Sequence, residues 1–204
     1  MTFEDLYREG RPPWDIGRAQ AEIVALLDSG AVVPPVLDVG CGTGEAALAC
    51  ALRGLEVRGV DGAPTAIALA REKAKVRGLS VPFDVADALA LGSLGTTYRT
   101  VLDCGLFHVF EDEERTRYAA SLFEALRPGG SAYLLCFSDA EPNWGGPRRV
   151  RADEFAPVFA DRFVVADVRP ATFETNLRDE RVQAWRVRLD RRPYRVGTGP
   201  AAAR

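Results

Sequence analysis

The stretch that decides the fold is VLDVGCGTGE, which runs from Val36 to Glu45. It begins as a short apolar strand, breaks into a turn that contains Gly40, Gly42 and Gly44, and continues as a helix over residues 46–52. Glycines let the chain turn sharply and let a ligand approach the backbone closely. A strand that enters such a turn and a helix that leaves it predict the nucleotide-binding corner of a doubly wound sheet.

Two acidic side chains beside this turn bear on the charge of the ligand. Asp38 lies two residues before the first glycine, and Glu45 lies at the helix entrance, where a pyrophosphate would bind. Because phosphate binding requires a helix N-terminus free of negative side chains, the two acids favour a ligand with positive charge. The alternative for Asp38 is a buried strand acid satisfied by backbone amides. Gly42, Gly44 and Ala47 also match the dinucleotide pattern G-x-G-x-x-G/A, so an NAD(P)-binding oxidoreductase stays the rival interpretation.

Length and composition predict one domain with a single buried core. The chain has 204 residues and a formal net charge of −3, which indicates neither nucleic acid nor an anionic membrane as a partner. No apolar run reaches the roughly 18 residues of a spanning helix, and the N-terminus lacks a signal-peptide pattern. We expect a cytoplasmic protein with its domain over residues 1–193, including an N-terminal arm over residues 1–30, and a disordered tail over residues 194–204.

The cysteine and histidine content gives no indication of a metal site. The chain has one histidine and four scattered cysteines without CxxC spacing, so zinc is not expected. Reduced thiols are expected for all four, which are Cys41, Cys50, Cys104 and Cys136.

Two further strands follow the glycine-rich turn, and each leads to an aspartate. Residues 55–64 predict a strand that ends in Asp61, followed by Gly62, about twenty residues beyond the glycines, where an acid binds ribose hydroxyls. The alternative is a turn-forming aspartate. Residues 81–91 predict a third strand and then Asp87, which either faces an adenine amino group or caps a helix.

The fourth strand is expected within residues 100–110 and ends near Asp103 and Cys104. Because ligands bind outside the carboxyl ends of strands in open α/β sheets, residues 103–108 are the best candidates for binding a second substrate. His108 is the only histidine and therefore the candidate general base, with a packed or capping histidine as the alternative. Cys104 is a candidate contact for the second substrate, with a small packing residue as the alternative.

The next segment predicts a helix and a buried strand. The helix covers residues 111–130, with Arg127 in its last turn and Pro128–Gly130 as its end. The near-continuous apolar run of residues 131–137 predicts a central fifth strand.

The remaining elements complete the predicted fold. Residues 138–150 form a long loop that contains Trp144, and long loops in compact domains are often functional. Residues 163–168 and 183–189 alternate in polarity, as two paired strands do. The predicted fold is α/β, a doubly wound Rossmann-like sheet that is mostly parallel with an antiparallel C-terminal edge hairpin.

The arm has a distinctive proline and tryptophan motif. Pro12 and Pro13 exclude a helix there, and Asp15 is predicted to cap the helix that Gly30 ends. Trp14 lies outside the helical periodicity and is either a lid over a ligand or a plug that packs the arm.

Several motifs resemble those of known enzymes. The class I S-adenosylmethionine-dependent methyltransferases are similar over nearly the whole chain, through DVGCGTGE (38–45), GVDGAP (59–64), VADAL (85–89) and LRPGG (126–130). Within that superfamily, two segments resemble the thiopurine and halide/thiol methyltransferase-like group, namely PPWDIGRAQ (12–20) and FSDAEPNWGGPRRV (137–150). The resemblance implies S-adenosyl-L-methionine as the cofactor and a small molecule as the methyl acceptor.

The resemblance also implies roles for individual residues. Asp38 would lie behind the ammonium group, Asp61 would bind the ribose diol, and Trp14 and Arg18 would belong to a cover over the cofactor. The residues expected to bind the cofactor are Trp14, Arg18, Asp38, Gly40, Cys41, Gly42, Gly44, Asp61, Gly62, Asp87, Ala88 and Asp103. Those expected to bind the acceptor are Cys104, Phe107, His108 and Trp144, and the candidate catalytic residues are His108 and Asp103.

The expected acceptor is a thiol-like, halide, chalcogen or thiopurine-like nucleophile. Such soft acceptors need alignment with the methyl group and little help from a base. The alternative is O- or N-methylation of a natural-product intermediate, which would benefit from a base. A third possibility is a protein that binds the cofactor without catalysis. The sequence does not predict the oligomeric state.

Overall fold

The protein is built around one seven-stranded sheet. The computed structural model describes residues 2–10, 12–177 and 181–193, and the tail expected over residues 194–204 lies outside them. The strand order is β3-β2-β1-β4-β5-β7-β6. The strands are β1 (Val36–Val39), β2 (Val57–Asp61), β3 (Phe83–Val85), β4 (Tyr98–Cys104), β5 (Leu126–Phe137), β6 (Phe163–Phe173) and β7 (Val182–Arg191).

The pairing confirms the predicted fold class. Strands β1 to β5 pair in parallel, whereas β7 lies antiparallel between β5 and β6. The chain order reverses between β1 and β4, because β2 and β3 lie on one side of β1 and the later strands lie on the other. Open sheets of this type bind ligands in the crevice at such a switch point.

Helices cover both faces of the sheet. The helices are α1 (Phe3–Glu9), α2 (Ala21–Asp28), α3 (Glu45–Leu52), α4 (Pro64–Val76), α5 (Asp112–Ala125) and α6 (Phe155–Phe159). Successive side chains of β1 point to opposite faces, so Val36 packs with α2, α3 and α4 while Leu37 and Val39 pack with α5 and α6. Short 3-10 segments lie at Ala88–Leu94, Phe107–Val109 and Ala152–Glu154. Within the described residues, every helix is too short or too polar to cross a membrane.

The predicted helix over residues 111–130 is wrong at its end. Helix α5 ends at Ala125, and residues 126–130 already belong to β5. The register with β4 jumps from Tyr98–Leu126 to Thr100–Ser131, so the stretch between them is bulged. A Cβ atom on Gly130 would lie 2.9 Å from the carbonyl oxygen of Arg99. The glycine therefore permits close approach of two strands and does not end a helix.

The prediction that Asp15 caps α2 is also wrong. Gln20 precedes α2 and makes no side-chain capping bond. The Asp15 carboxylate instead accepts hydrogen bonds from the Gly17 amide (3.0 Å) and from the hydroxyl of Thr43 in the glycine-rich turn (2.9 Å). The arm is therefore tied to the turn by a contact that the local sequence pattern does not reveal.

Candidate active site

A cavity of about 900 Å³ opens at the carboxyl ends of β1, β2 and β4. This volume lies in the range of small-molecule sites. The structure brings most of the predicted site residues together around it, namely Trp14, Arg18, Asp38, Gly40, Cys41, Gly42, Asp61, Gly62, Asp87, Ala88, Cys104, His108 and Trp144.

The carboxylate of Asp61 stands at the end of β2, on the floor of the cavity. Its Oδ2 accepts a hydrogen bond from the Gly42 amide and its Oδ1 accepts one from the Ala63 amide, both at 2.8 Å. Burial raises the pKa of this carboxyl above its ordinary value, while the two amides act to lower it. Each oxygen keeps a lone pair that can accept a bond from a ligand hydroxyl.

Asp87 has the capping role that the sequence left open. Its side chain accepts a hydrogen bond from the Leu89 amide at 2.8 Å and so caps the 3-10 segment that starts at Ala88. Both residues also line the cavity, close to the end of β3. Capping leaves the second carboxylate oxygen able to accept a bond from a ligand amino group.

Asp38 lies in β1 beneath the glycine-rich turn. Its side chain is 1% exposed and accepts a hydrogen bond from the Ala47 amide at 2.9 Å. Burial raises its pKa to about 7, and the neighbouring Asp61 and Asp103 add to the shift. The backbone bond fits the alternative of a satisfied strand acid, but the residue also lines the cavity. A cation in the cavity would favour the ionised carboxylate.

Glu45 does not have the role that the sequence argument gave it. Its carboxylate pairs with Lys73 and with Arg77, each at 2.8 Å. Burial acts to raise the pKa of Glu45, but the hydrogen bonds from Arg77 and Lys73 hold it below its usual value. Because its charge is compensated, Glu45 does not itself exclude a phosphate. The preference for a cationic ligand therefore depends on Asp38 and Asp61.

Helix α1 and the arm cover the glycine-rich turn. Gly42 has φ +53°, and a Cβ atom there would lie 2.7 Å from the hydroxyl oxygen of Tyr7. The Trp14 indole donates a hydrogen bond to that hydroxyl at 3.0 Å. Tyr7 lines the cavity, and the sequence analysis missed it because the residue lies in an ordinary amphipathic helix.

Three predicted site residues, all within the described part of the chain, do not line the cavity. The Asp103 carboxylate accepts bonds from the Leu106 amide (2.8 Å), the Phe107 amide (3.1 Å) and the Tyr118 hydroxyl (2.8 Å). The Phe107 ring packs in the core against the ring of Phe155. A Cβ atom on Gly44 would meet the Phe83 ring at 2.7 Å, and Gly44 is not part of the cavity wall. Their contacts shape the loops beside the site.

His108 follows β4 and contacts the end of β5, whereas Asp61 ends β2, which is separated from β4 by β1. The His108 Nδ1 accepts a hydrogen bond from the Phe137 amide at 2.9 Å. Burial lowers the pKa of His108 to about 3, with further lowering from Arg115 and Arg149. The ring is therefore neutral near pH 7, and the lone pair of Nδ1 is already in use. These contacts favour a packed histidine over the general base that the sequence suggested.

Aromatic rings form the walls of the cavity beside His108. The Phe137 ring lies 4.7 Å from His108, 5.3 Å from Phe173 and 6.0 Å from Trp144, measured between ring centroids. The sequence analysis named His108 and Trp144 but missed the two phenylalanines. Phe137 ends β5 and could have been found by the strand-end rule; Phe173 was missed because β6 was predicted to stop at residue 168.

The cavity thus has two chemically different ends. Carboxylates and the glycine-rich turn lie at one end, beneath the Tyr7 and Trp14 rings, and the group of rings around Phe137 lies at the other. A cofactor with a ribose and a cationic amino-acid portion fits the carboxylate end, because Asp61 offers acceptors for hydroxyls and Asp38 offers a charge for a cation.

Comparisons with known proteins agree with this geometry. A family described as Methyltransferase domain matches residues 36–130. A 2-heptyl-1-hydroxyquinolin-4(1H)-one methyltransferase from Mycobacteroides abscessus is 39% identical over an alignment of 184 positions, which covers 85% of this chain and 81% of the relative. A thiocyanate methyltransferase 1 from Brassica oleracea is 25% identical over an alignment of 189 positions, which covers 90% of this chain and 84% of the relative.

One solved structure is also similar in sequence. It comes from work on the conversion of a disulfide bond into a thioacetal group during echinomycin biosynthesis. The two structures superpose with a TM-score of 0.86 at 36% identity, covering 94% of this chain and 92% of the other.

Proposed function

Because this chain belongs to the class I S-adenosylmethionine-dependent methyltransferases, we propose that its acceptor is a planar aromatic or heteroaromatic small molecule with an acidic hydroxyl or thiol. The observation that carries the proposal is the aromatic end of the cavity, formed by His108, Phe137, Trp144 and Phe173. Rings bind planar ligands by stacking and edge contacts.

The same observation separates the acceptor classes. Thiopurine-like and hydroxyquinolone-like acceptors are planar and use the rings. A halide, thiocyanate or small aliphatic thiol is too small to contact several of them. The relative from Mycobacteroides abscessus is named for a bicyclic hydroxyquinolone, which supports the planar class. Thiocyanate methyltransferases match at only about 25% identity, so grouping with the halide and thiol enzymes has weaker support.

The cofactor end of the site would be held by this chain's acidic and backbone groups. Asp61 would accept bonds from the ribose diol, Asp87 would accept one from the adenine amino group, and Asp38 would balance the ammonium group. When bound, S-adenosylmethionine supplies a methyl group on a sulfonium, which is already an activated electrophile. The protein's contribution is to align the two partners and to exclude water.

The acceptor is proposed to be acidic because His108, the histidine of the cavity wall, is not available as a base. Near pH 7 the neutral His108 ring has its Nδ1 occupied by the Phe137 amide. An N-hydroxy, phenolic or aromatic thiol group that ionises by itself near neutral pH needs no proton acceptor from the protein. Aliphatic alcohols and amines would need one.

An acceptor screen with methyl-labelled S-adenosylmethionine tests this proposal. The panel contains a 2-alkyl-1-hydroxyquinolin-4(1H)-one, an acidic phenol, a thiopurine, an aliphatic thiol and iodide. We expect kcat/KM for at least one planar acceptor to exceed the values for the aliphatic thiol and iodide by about 10- to 100-fold. This factor corresponds to the free energy gained when one aromatic ring is buried. Preferred turnover of iodide or the aliphatic thiol would refute the proposal.

A matched pair of variants locates the acceptor. Phe173→Leu should raise KM for the planar acceptor about two- to tenfold, which corresponds to one aromatic contact. Phe123→Leu removes a ring that pairs with Phe163 elsewhere in the protein and should leave that KM unchanged. Equal effects of both substitutions would argue against the aromatic end as the acceptor site.

A further inference from the structure

Residues 13–20 of the arm form no helix or strand, and most of them line the cavity. Contacts with other parts of the protein hold them in place. Arg18 forms a two-pronged pair with Glu174 at 3.0 and 2.9 Å. The Pro13 carbonyl accepts a bond from the Asn176 amide at 2.7 Å. These contacts hold the arm to the end of the β6–β7 hairpin. They do not involve the glycine-rich turn.

A separate cluster joins the arm to that turn through Lys73 of α4. The Lys73 ammonium donates to the Thr43 hydroxyl at 2.6 Å and to Glu45 at 2.8 Å, and it lies 3.5 Å from the Asp15 carboxylate. Thr43 in turn donates to Asp15 at 2.9 Å. One cation therefore contacts the arm, the turn and the first residue of α3 at the same time.

The cluster is shielded from solvent and charged, which makes its contacts strong. The exposed fractions of the side chains are 9% for Asp15, 11% for Glu45 and 27% for Lys73. Hydrogen bonds to charged groups are shorter and stronger than neutral ones, particularly where water is excluded. Lys73 itself does not line the cavity, so it cannot act by contact with a ligand.

We infer that Lys73 is a positioning residue that couples closure of the arm to cofactor binding. Thr43 lies between Gly42 and Gly44 in the glycine-rich turn. When the turn has its ligand-binding shape, the Thr43 hydroxyl is placed to donate its hydrogen bond to Asp15, and when the arm is closed, Asp15 holds that hydroxyl in place. Cofactor binding and arm closure therefore stabilise each other, and this coupling requires Lys73, which contacts both Asp15 and Glu45.

Two measurements on the purified protein test this coupling, with S-adenosylhomocysteine as the probe. Calorimetry gives the dissociation constant, and mass spectrometry of tryptic fragments gives the rate of cleavage after Arg18 in the arm. In the wild type the probe should slow this cleavage. In Lys73→Met the dissociation constant should rise about five- to 100-fold, the usual range of coupling between sites, and the probe should no longer slow cleavage.

Control variants distinguish coupling from a general loss of structure. Lys75→Met changes an exposed lysine of the same helix and should behave as the wild type. Asp15→Asn breaks the link from the arm side without altering α4, and it carries the test if Lys73→Met does not fold. Because Lys73 and Asp15 act through one contact, the double variant should have the same affinity for the probe as the single variant that binds it less tightly.

Two results would overturn the inference. One is unchanged probe affinity and unchanged protection of the Arg18 bond in Lys73→Met. The other is additive losses of affinity in the double variant, which would show that Lys73 and Asp15 act independently. Neither result would affect the proposal about the acceptor, since both readouts use the cofactor product alone.

Discussion

At the scale of single residues, the protonation of Asp38 governs how the site receives a cation. Burial raises its pKa to about 7, so near neutral pH a substantial fraction of the carboxyl is protonated and uncharged. A bound ammonium group favours the ionised form and lowers that pKa. Cofactor binding should therefore release a proton, and affinity should fall as pH drops below 7.

Calorimetry with S-adenosylhomocysteine measures this proton release. At pH 6.5, titrations in buffers of different ionisation enthalpy should show net proton release by the wild type. As the pH falls below 6.5, the dissociation constant should rise by at most about tenfold for each pH unit. Asp38→Asn should bind more weakly at pH 8 and lose the proton release. Equal proton release by both proteins would show that another group titrates on binding.

His108 makes the stability of the fold depend on pH, and this contribution is lost as the pH falls. Its pKa in the folded protein is about 3, below the ordinary value of 6.5, because burial disfavours the charged ring. Below pH 6.5 the unfolded chain therefore binds the extra proton and the folded protein does not. The stability associated with neutral His108 is complete above pH 6.5 and is lost as pH falls toward 3.

Urea unfolding at pH 7.5 and pH 5 checks this sign. From pH 7.5 to pH 5, the unfolding free energy of the wild type should fall by about 2 kcal/mol more than that of His108→Asn. This figure is about 1.4 kcal/mol for each of the roughly 1.5 pH units between 6.5 and 5. Comparison with the variant is necessary because Asp38 and Asp103, whose folded pKa values are raised, titrate in the same range. If both proteins change equally with pH, His108 is not held neutral by burial.

At the scale of elements, the glycine-rich turn shows which local requirements a sequence reveals. Gly44 precedes α3 with φ +85°, and a Cβ atom there would meet the Phe83 ring at 2.7 Å. The pattern of three glycines identified the turn correctly. The pattern could not show that Gly44 permits close packing against Phe83 of β3, because Phe83 lies 39 positions further along the chain.

A pair of alanine substitutions separates strain from packing. Gly54 has φ +74° and nothing within 4 Å of its Cβ position. Gly54→Ala should cost about 1–2 kcal/mol of unfolding free energy, which reflects the left-handed backbone alone. Gly44→Ala should cost at least 1 kcal/mol more because of the clash with Phe83. Chemical denaturation measures both, and equal losses would show that the ring moves aside freely.

The parallel core of the sheet was predictable because its signals are local. Apolar runs, glycines and strand-end acids specified β1 to β4 and the parallel core. The boundary between α5 and β5 was not predictable, because proline and glycines after a helix usually end it. Here β4 pairs with the same residues and draws them into the sheet.

At the scale of the whole molecule, the site combines segments distant in sequence. The hydrogen bonds of Asp15 to Thr43 and of Arg18 to Glu174 span 28 and 156 positions. Charge and glycine patterns indicated the cofactor end, since those residues follow their strands directly. The arm contacts, Tyr7 and the position of Phe173 in the aromatic wall depend on tertiary packing that no local pattern encodes.

We expect one cavity to hold the cofactor at its carboxylate end and the acceptor at its aromatic end. A crystal structure of the complex with S-adenosylhomocysteine would show both ends at once. The ribose should lie against Asp61, the adenine near Asp87, and the sulfur should face the space enclosed by His108, Phe137 and Phe173. An adenosine stacked among those aromatic rings, with the amino-acid portion away from Asp38, would contradict this expectation.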